Sequence, residues 1–325
     1  MRTLLTPLSW VYASVIWARN VLYDHSVIAS HASSIPVISV GNVSVGGTGK
    51  TPFSAYLVDR LTKAGHHPAI VMRGYGGDET RLHSRLNPGL AVIADRDRVA
   101  GIRTASTLGA DVAVLDDAYQ HRRAKRDLDI VLVSADRWSD DIRQLPAGPL
   151  REPLTSLKRA ELIVVTQKSV TDAEAAAVSR AIGTLRGVGA LVLVARLEPE
   201  ELISAATGES AMLDLIRGER VLAIAGIGDP ASFFAQLAQL GAVITERRFR
   251  DHHDYTFDEA RQLSAESAGH KYVVTTGKDI VKLASLWPAG GAELWYLSQA
   301  VRLTEGAPLV DAALAKLFQR ASSIS

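Results

Sequence analysis

The chain has 325 residues, of which 47% are hydrophobic and 22% charged, so it is long and apolar enough for one large or two moderate packed domains and is not intrinsically disordered. It contains no cysteine, which excludes disulfide frameworks and cysteine-ligated zinc and fits a reducing compartment. Its 36 basic and 35 acidic side chains nearly cancel, so no overall field indicates nucleic acid as a partner.

The first predicted element is an amphipathic helix over residues 8–23, opened by Pro7. Apolar residues recur there at the spacing of one helical face, with aromatic side chains beside them. Such a helix is about 24 Å long, shorter than a hydrocarbon core of about 30 Å, and it contains Arg19. A cleaved signal peptide fits poorly. The pattern favours a helix lying on a membrane surface, and the alternative is an ordinary helix packed on the core.

Short β-branched runs then alternate with helical stretches. This alternation predicts an α/β fold, with a parallel sheet and helices on both faces. The predicted strands are 35–41, 69–73, 90–94, 112–117, 130–135, 162–167, 191–197, 221–226, 243–249, 271–276 and 294–298.

The same pass along the chain predicts its domains. They are an N-terminal membrane-surface helix (1–28), a phosphate-loop kinase domain (29–197), a smaller α/β domain (198–303) and a C-terminal helix (304–325) that packs back on the first domain. The polar stretch 198–220 is predicted to be a linker. Gly226 and Gly228 are predicted to form a tight turn that opens a helix at Pro230, because the third glycine of a dinucleotide-binding loop is missing.

A glycine-rich segment, here called the phosphate loop, follows the first strand directly. It reads Ser44-Val45-Gly46-Gly47-Thr48-Gly49-Lys50-Thr51-Pro52. Glycines let backbone N–H groups turn around phosphates, the lysine reaches the β and γ oxygens, and the threonine hydroxyl ligates Mg²⁺ at a helix start. Ser44 stands where the general pattern has glycine. The segment predicts binding of a nucleoside triphosphate.

Two aspartates, Asp116 and Asp117, end the predicted strand 112–117. A carboxylate at the end of a neighbouring strand can reach Mg²⁺ directly or through water, as phosphoryl transfer requires. Five basic or imidazole groups follow within residues 120–126. Such a run is either a solvated face or an anion-binding rim at the mouth of the site.

Two further segments carry chemistry. Asp78 and Glu79 are predicted to lie in a glycine loop after the second strand, at the same sheet edge as the phosphate loop, where ligands of parallel sheets bind. Residues 250–255 place two imidazoles between carboxylates. Since nothing nearby completes a metal ligand set, a histidine tuned by a carboxylate for proton transfer is the favoured interpretation.

Together these segments resemble the tetraacyldisaccharide 4′-kinases, which phosphorylate the lipid A precursor. The matching stretches are collinear and comprise 37–52, 73–75, 77–79, 97–98, 116–123, 126–132, 145–154, 225–230, 249–255 and 275–279. Ser44 agrees with the pattern of this family. The chain departs from it between Tyr75 and Asp78, where the family usually carries a longer insertion.

The resemblance implies transfer of the γ-phosphoryl group of ATP, with Mg²⁺, to the 4′-hydroxyl of tetraacyldisaccharide 1-phosphate. It also implies a peripheral protein on the cytoplasmic face of the inner membrane of a Gram-negative-type envelope. The implied catalytic residues are Lys50 and an acid–base pair, Asp78 and His252, in different domains, so that catalysis needs domain closure. The implied substrate contacts are Asn42, Gln120, His121, Arg122 and Arg151, and the implied metal contacts are Thr51, Glu79, Asp116 and Asp117.

A regulatory or partitioning ATPase of the phosphate-loop group is the alternative. Many such proteins carry a lysine immediately before the Gly-Gly pair, where this chain has Val45. A nucleotide-binding scaffold without activity is a third possibility, because the stretch before Asp78 is short.

Overall fold

A computed structural model describes residues 5–74, 77–139, 143–186 and 191–322. They form two compact units. Unit 1 holds the described residues up to 74, those of 83–196, and those from 301 onward; unit 2 holds residues 77–82 and 197–300. The unit boundaries at 196/197 and 300/301 fall within strands, and the boundary at 82/83 falls within a helix.

Helices and strands alternate as the sequence predicts. The α-helices are α1 (Thr6–Asp24), α2 (Lys50–Lys63), α3 (Asp78–Leu86), α4 (Arg98–Thr107), α5 (Asp172–Arg186), α6 (Pro230–Gln239), α7 (Phe257–Glu266), α8 (Gly277–Leu283) and α9 (Ala307–Ser322). The strands are β1 (Val37–Asn42), β2 (Pro68–Met72), β3 (Ala91–Ala94), β4 (Val112–Asp116), β5 (Leu128–Ser134), β6 (Leu162–Gln167), β7 (Leu191–Ser204), β8 (Ser210–Ala211), β9 (Arg220–Ala225), β10 (Val243–Arg248), β11 (Tyr272–Thr276) and β12 (Leu294–Glu305). Short 3₁₀ turns lie at Ala135–Arg137, Leu154–Arg159, Leu213–Ile216 and Ser267–Gly269. Every predicted strand is confirmed, with its ends shifted by a few residues in most cases.

In unit 1 the strand order is β7-β6-β5-β1-β4-β2-β3, and the pairs are parallel. Strand β1 is central and fully buried, as expected for a strand covered on both faces. Val40 of β1 pairs in register with Asp116 of β4. This register brings the start of the phosphate loop and the acidic end of β4 to the same edge of the sheet.

Helices cover both faces of this sheet. On one face, Phe53 and Leu57 of α2 and Val310 of α9 pack in one apolar cluster with β1. On the other, α4 and α5 pack through side chains such as Ile102 and Ile182. The C-terminal helix α9 is thus part of the core of unit 1.

Unit 2 contains the parallel strands β10-β9-β11-β12, followed by the end of β7 and its antiparallel partner β8. The prediction of a linker over 198–220 was wrong. Strand β7 continues to Ser204, and both Leu202 and Ser204 are fully buried. The glutamates of this stretch made it look like a loop, but burial of alternate side chains in the sheet outweighs their polarity.

Two local expectations have different outcomes. The turn after β9 opens α6 at Pro230, as predicted. Asp78 and Glu79, in contrast, lie in the first turn of α3 and not in a loop. The helix dipole favours carboxylates in a first turn.

Among the residues described, no helix combines the length and hydropathy needed to cross a membrane.

Candidate active site

The phosphate loop adopts a conformation that depends on glycine. Gly46 and Gly49 have positive φ angles of 106° and 84°, in the region that favours glycine. A Cβ atom built on Gly46 would lie 2.7 Å from Nη1 of Arg137. The loop therefore passes close to a guanidinium group, and the φ of Gly46 would strain any other residue at this point.

Hydrogen bonds from neighbouring side chains hold the phosphate loop in place. Asn42, at the end of β1, donates from Nδ2 to Oγ1 of Thr48 at 3.0 Å, and Thr166 donates from its hydroxyl to the Thr48 carbonyl at 3.0 Å. Gln120 donates to the Asn42 carbonyl at 2.8 Å. Asn42 and Gln120, implied by the resemblance as substrate contacts, thus brace the loop.

Helix α2 begins at the end of this loop with Lys50 and Thr51. The 14-residue helix directs its positive N-terminal end toward the loop. The Lys50 ammonium lies 3.6 Å from Oδ1 of Asp117. Loop, lysine and strand-end acid therefore occur together in unit 1, as the sequence predicted for a phosphate site.

Asp117 lies beside two cations. Arg151 donates from Nη1 to both of its carboxylate oxygens, at 2.9 and 3.0 Å. Burial raises the pKa of Asp117, but the charges of Lys50 and Arg151 outweigh burial and hold the pKa below its ordinary value. Asp117 follows the last residue of β4 and has a φ of 51°, an uncommon backbone conformation for a residue other than glycine.

Asp116 has different surroundings. Its Oδ2 lies 2.8 Å from Nε2 of His83, a fully buried imidazole of α3. Its Oδ1 accepts from the Ser54 hydroxyl at 3.3 Å and from the Asp117 backbone N–H at 3.0 Å. Both oxygens of Asp116 therefore accept hydrogen bonds from the protein, whereas Asp117 faces Lys50.

The arginines of the basic run 120–126 pair with carboxylates. Arg122 bonds Asp24 at the end of α1 at 2.7 Å, and it also donates to the Asn20 carbonyl. The other two arginines of the run pair with Asp97 and Asp129. These pairs fit a structural role for most of the run. His121 is half-buried, and burial and the charge of Arg98 lower its pKa.

In unit 2, the acids that begin α3 pair with lysines of α8. Asp78 Oδ2 lies 2.6 Å from the ammonium of Lys282, and Glu79 Oε1 lies 3.5 Å from that of Lys278. The sequence analysis placed Asp78 in the phosphate-loop domain, whereas residues 77–82 belong to unit 2. Both ion pairs join the first turn of α3 to a helix of the same unit.

The two adjacent imidazoles of residues 250–255 differ sharply. His252 has a φ of 57° and a side chain 58% exposed, and its ring lies 4.0 Å from a carboxylate oxygen of Asp251. His253 is held by Glu259 at 3.1 Å and packs against aromatic neighbours. Within the described residues, no hydrogen bond or ion pair joins His252 to Asp78.

Asp279 organises the loop that carries these histidines. Its carboxylate accepts from the Gly226 N–H at 3.0 Å, the Thr276 hydroxyl at 2.6 Å and the Tyr255 hydroxyl at 3.1 Å. The His252 N–H in turn donates to the Gly226 carbonyl at 3.1 Å. A Cβ on Gly226 would lie about 3 Å from side-chain oxygens of Tyr255 and Asp279. The absence of a side chain at Gly226 therefore lets these two residues pack against its backbone.

Helix α1 packs against the rest of unit 1 mainly through polar side chains and exposes most of its large apolar ones, the reverse of an ordinary amphipathic helix. Its polar residues face unit 1: Ser9 donates to the Gln144 carbonyl at 2.6 Å, and Arg19 and Asn20 bond the fully buried Glu152 at 2.8 and 3.2 Å. One of its apolar side chains, Ile16, is buried. Six others are exposed, between 40% and 68% accessible, namely Leu8, Trp10, Val11, Val15, Trp17 and Leu22.

Comparison with known proteins supports one family. The family model described as "Tetraacyldisaccharide-1-P 4'-kinase" matches residues 1–81 and 76–319. A tetraacyldisaccharide 4′-kinase of Anaeromyxobacter sp. (strain Fw109-5) is 39% identical over 332 aligned residues, covering 92% of this chain and 88% of the relative. The chain belongs to the tetraacyldisaccharide-1-P 4′-kinase family.

Other relatives agree with this membership. The enzyme of that name from Geobacter sulfurreducens is 39% identical, covering 85% of this chain and 82% of its own. The crystal structure of the "apo" form of LpxK from Aquifex aeolicus in complex with ATP is 31% identical, with a TM-score of 0.77 and coverage of 98% of this chain and 99% of that one. The two stretches of the family match overlap at 76–81, next to the place where the resemblance implies a shortened segment in this chain. Tyr75 of the Arg-Gly-Tyr segment lies outside the described residues.

A cavity of about 620 Å³ adjoins the phosphate loop of this family member. Loop residues Ser44 and Val45 line one side, and the segment 143–150, on which α1 packs, lines another. Arg137 and Trp138 complete the wall. The cavity therefore combines apolar walls with guanidinium groups.

Sequence reasoning missed three residues of these sites. These are His83, Lys282 and Arg137. None of them stands at a fixed distance from a recognised motif in the sequence, and each is brought to its site by the folding of the chain. A weak signal existed for Lys282, which follows the matching stretch 275–279 by one helical turn.

Proposed function

We propose that this chain is an ATP-dependent lipid kinase that transfers the γ-phosphoryl group to the 4′-hydroxyl of a tetraacyldisaccharide 1-phosphate. The observation that carries the proposal is the grouping, in a member of this family, of the glycine-dependent loop, Lys50 and Asp117 at one sheet edge. A partitioning ATPase would have no use for the outward apolar face of α1.

The residues at this edge fit ATP and Mg²⁺. Positive φ at Gly46 and Gly49 fits a loop whose backbone N–H groups turn around a phosphate. Lys50 would contact the β and γ phosphate oxygens, and Thr51 and Asp117 would hold Mg²⁺, with Asp116 behind them. When bound, the ion neutralises charge that develops on the phosphate oxygens. Lys50 and Arg151 supply further positive charge at the same place.

The acceptor hydroxyl needs a base, because a sugar hydroxyl is a poor nucleophile near neutral pH. As its oxygen forms a bond to the γ-phosphorus, the bond from that phosphorus to the β–γ bridging oxygen breaks, and the hydroxyl proton goes to His252. Asp78 would orient this imidazole and stabilise its charged form. The exposure of His252, with His253 engaged elsewhere, supports the choice of His252.

The lipid would reach the site from a membrane surface. The exposed apolar face of α1 includes Trp10 and Trp17, side chains suited to the headgroup region. The same helix packs on the segment that lines the cavity beside the phosphate loop. This arrangement supports a peripheral protein on the cytoplasmic face of the inner membrane, with acceptor lipid passing from α1 toward the cavity.

The test uses the purified full-length chain with ATP, Mg²⁺ and the disaccharide lipid in mixed micelles, against reactions without lipid or without Mg²⁺. Lipid-dependent ADP release matched by formation of phosphorylated lipid is expected. ATP hydrolysis that is independent of lipid would favour the ATPase switch, and no turnover in any reaction would favour the inactive scaffold.

A further inference from the structure

Unit 2 contains a nearly buried lysine that contacts neither nucleotide nor sugar in the proposed reaction. Lys282 lies on α8, and its side chain is only 10% exposed. An ammonium has three N–H donors, and removing it from water without partners is costly. Its burial therefore requires specific acceptors.

Three acceptors surround it. The ammonium lies 2.6 Å from Oδ2 of Asp78, 3.0 Å from the carbonyl oxygen of His253 and 3.4 Å from Oδ1 of Asp254. Asp78 is itself largely buried, at 14% exposed, whereas Asp254 is 88% exposed. The strong contacts are therefore those to Asp78 and to the backbone of the histidine loop.

These two contacts reach one partner of the proposed acid–base pair and the loop that carries the other. Asp78 begins α3, and the His253 carbonyl belongs to the residue that follows His252. The fold anchors α8 itself, since Asp279 on its first turn bonds the Gly226 N–H and the Tyr255 hydroxyl. Lys282 thus extends from a fixed helix to both segments.

We propose that Lys282 is a positioning residue for proton transfer, holding the Asp78 carboxylate against the loop that carries His252. The inference rests on the proposed function, because it takes Asp78 and His252 as the acid–base pair. Lys282 touches neither ATP nor the sugar in this role; it fixes where the carboxylate lies relative to the loop. A misplacement of such groups by about 1 Å costs on the order of a hundredfold in rate.

The experiment is steady-state kinetics on the full chain with Lys282→Met, Lys282→Arg and the matched control Lys271→Met. Lys271 pairs with Glu219 on the surface of the same unit. Lys282→Met should lower kcat about a hundredfold while KM for ATP stays within about twofold, since nucleotide is held elsewhere. Lys282→Arg should recover most of the loss, and Lys271→Met should match wild type. Unchanged kcat in Lys282→Met would overturn the proposal.

A second arm separates this inference from the proposed pair. Asp78→Asn and the double variant Asp78→Asn/Lys282→Met should have nearly equal kcat, because residues that act through one group are not additive. Losses that multiply would overturn the role of Lys282 while leaving Asp78 catalytic. Full activity in Asp78→Asn would overturn both proposals.

A third measurement does not depend on activity. Amide hydrogen exchange should accelerate at residues 77–82 and 250–255 together in Lys282→Met, or in Lys282→Gln if the methionine variant does not fold. Wild-type protection in either segment would show that the ammonium does not hold the two together.

Discussion

The buried imidazole of His83 lies 2.8 Å from the carboxylate of Asp116, the first of the two acids at the end of β4. With Ser54 and the Asp117 N–H bonding the other oxygen, Asp116 is fixed from both sides. Asp117 instead faces Lys50 and Arg151. The two adjacent acids are therefore expected to differ in their relation to Mg²⁺.

Asp117→Asn is expected to raise the Mg²⁺ concentration needed for half-maximal kcat more than Asp116→Asn does. The amide weakens an oxygen that would contact the ion, whereas Asp116 acts through its neighbours. Mg²⁺ titrations of initial rate at saturating ATP give the comparison. A larger shift in Asp116→Asn would reverse the assignment, and unchanged titrations in both would make the acids an ordinary polar strand end.

His83→Phe is expected to destabilise unit 1. It removes the partner of Asp116 Oδ2 in a place without solvent, at a cost of about 1–3 kcal/mol for the unpaired oxygen. Urea unfolding measures the change, and His67→Phe, at an exposed position, is the control. Equal stability of His83→Phe and wild type would show that the contact contributes nothing.

His252→Ala is expected to lower kcat by about a hundredfold or more, as for loss of a general base. His253→Ala should lower stability instead, because that ring bonds Glu259 and packs on Phe249 and Tyr255. The double variant Asp78→Ala/His252→Ala should be scarcely slower than the poorer single one. Single-turnover rates and thermal melts separate the two effects. Greater sensitivity of kcat at His253 would mean that the wrong imidazole has been chosen.

Replacing Trp10 and Trp17 by Glu is expected to release the protein from anionic vesicles and to raise KM for lipid more than KM for ATP. Both side chains are about two-thirds exposed on α1, and carboxylates oppose insertion among anionic headgroups. Co-sedimentation with vesicles measures binding. Leu108→Glu, an equally exposed position elsewhere in unit 1, is the matched control. Equal binding of wild type and the double variant would leave α1 as a helix that merely packs on the core.

Much of this architecture could be predicted from local sequence. The buried strands are continuous apolar runs, and the phosphate loop carries its own glycines, so each is specified within a few residues. The acid pair after β4 could be placed because parallel strands end at a common edge.

The remainder depends on long-range packing. His83 reaches Asp116 across 33 positions, and Lys282 reaches Asp78 across about 200, so no periodicity indicates either pair. The outward apolar face of α1 was also ambiguous, since spacing shows that a stripe exists but not which side packs. In β7, the glutamates near residue 200 suggested a loop. The strand forms there because it pairs with other strands of the sheet.

Transfer of label from [γ-³²P]ATP to the disaccharide lipid, with the position of the new phosphate assigned by ³¹P NMR, tests the central claim most directly. Wild type should place one phosphoryl group on the 4′-hydroxyl for each ADP formed. Lys50→Ala should be slower by about a thousandfold in kcat/KM, the equivalent of about 4 kcal/mol of lost charge stabilisation, with its circular dichroism unchanged. Label that remains in inorganic phosphate, or wild-type transfer by folded Lys50→Ala, would contradict the account.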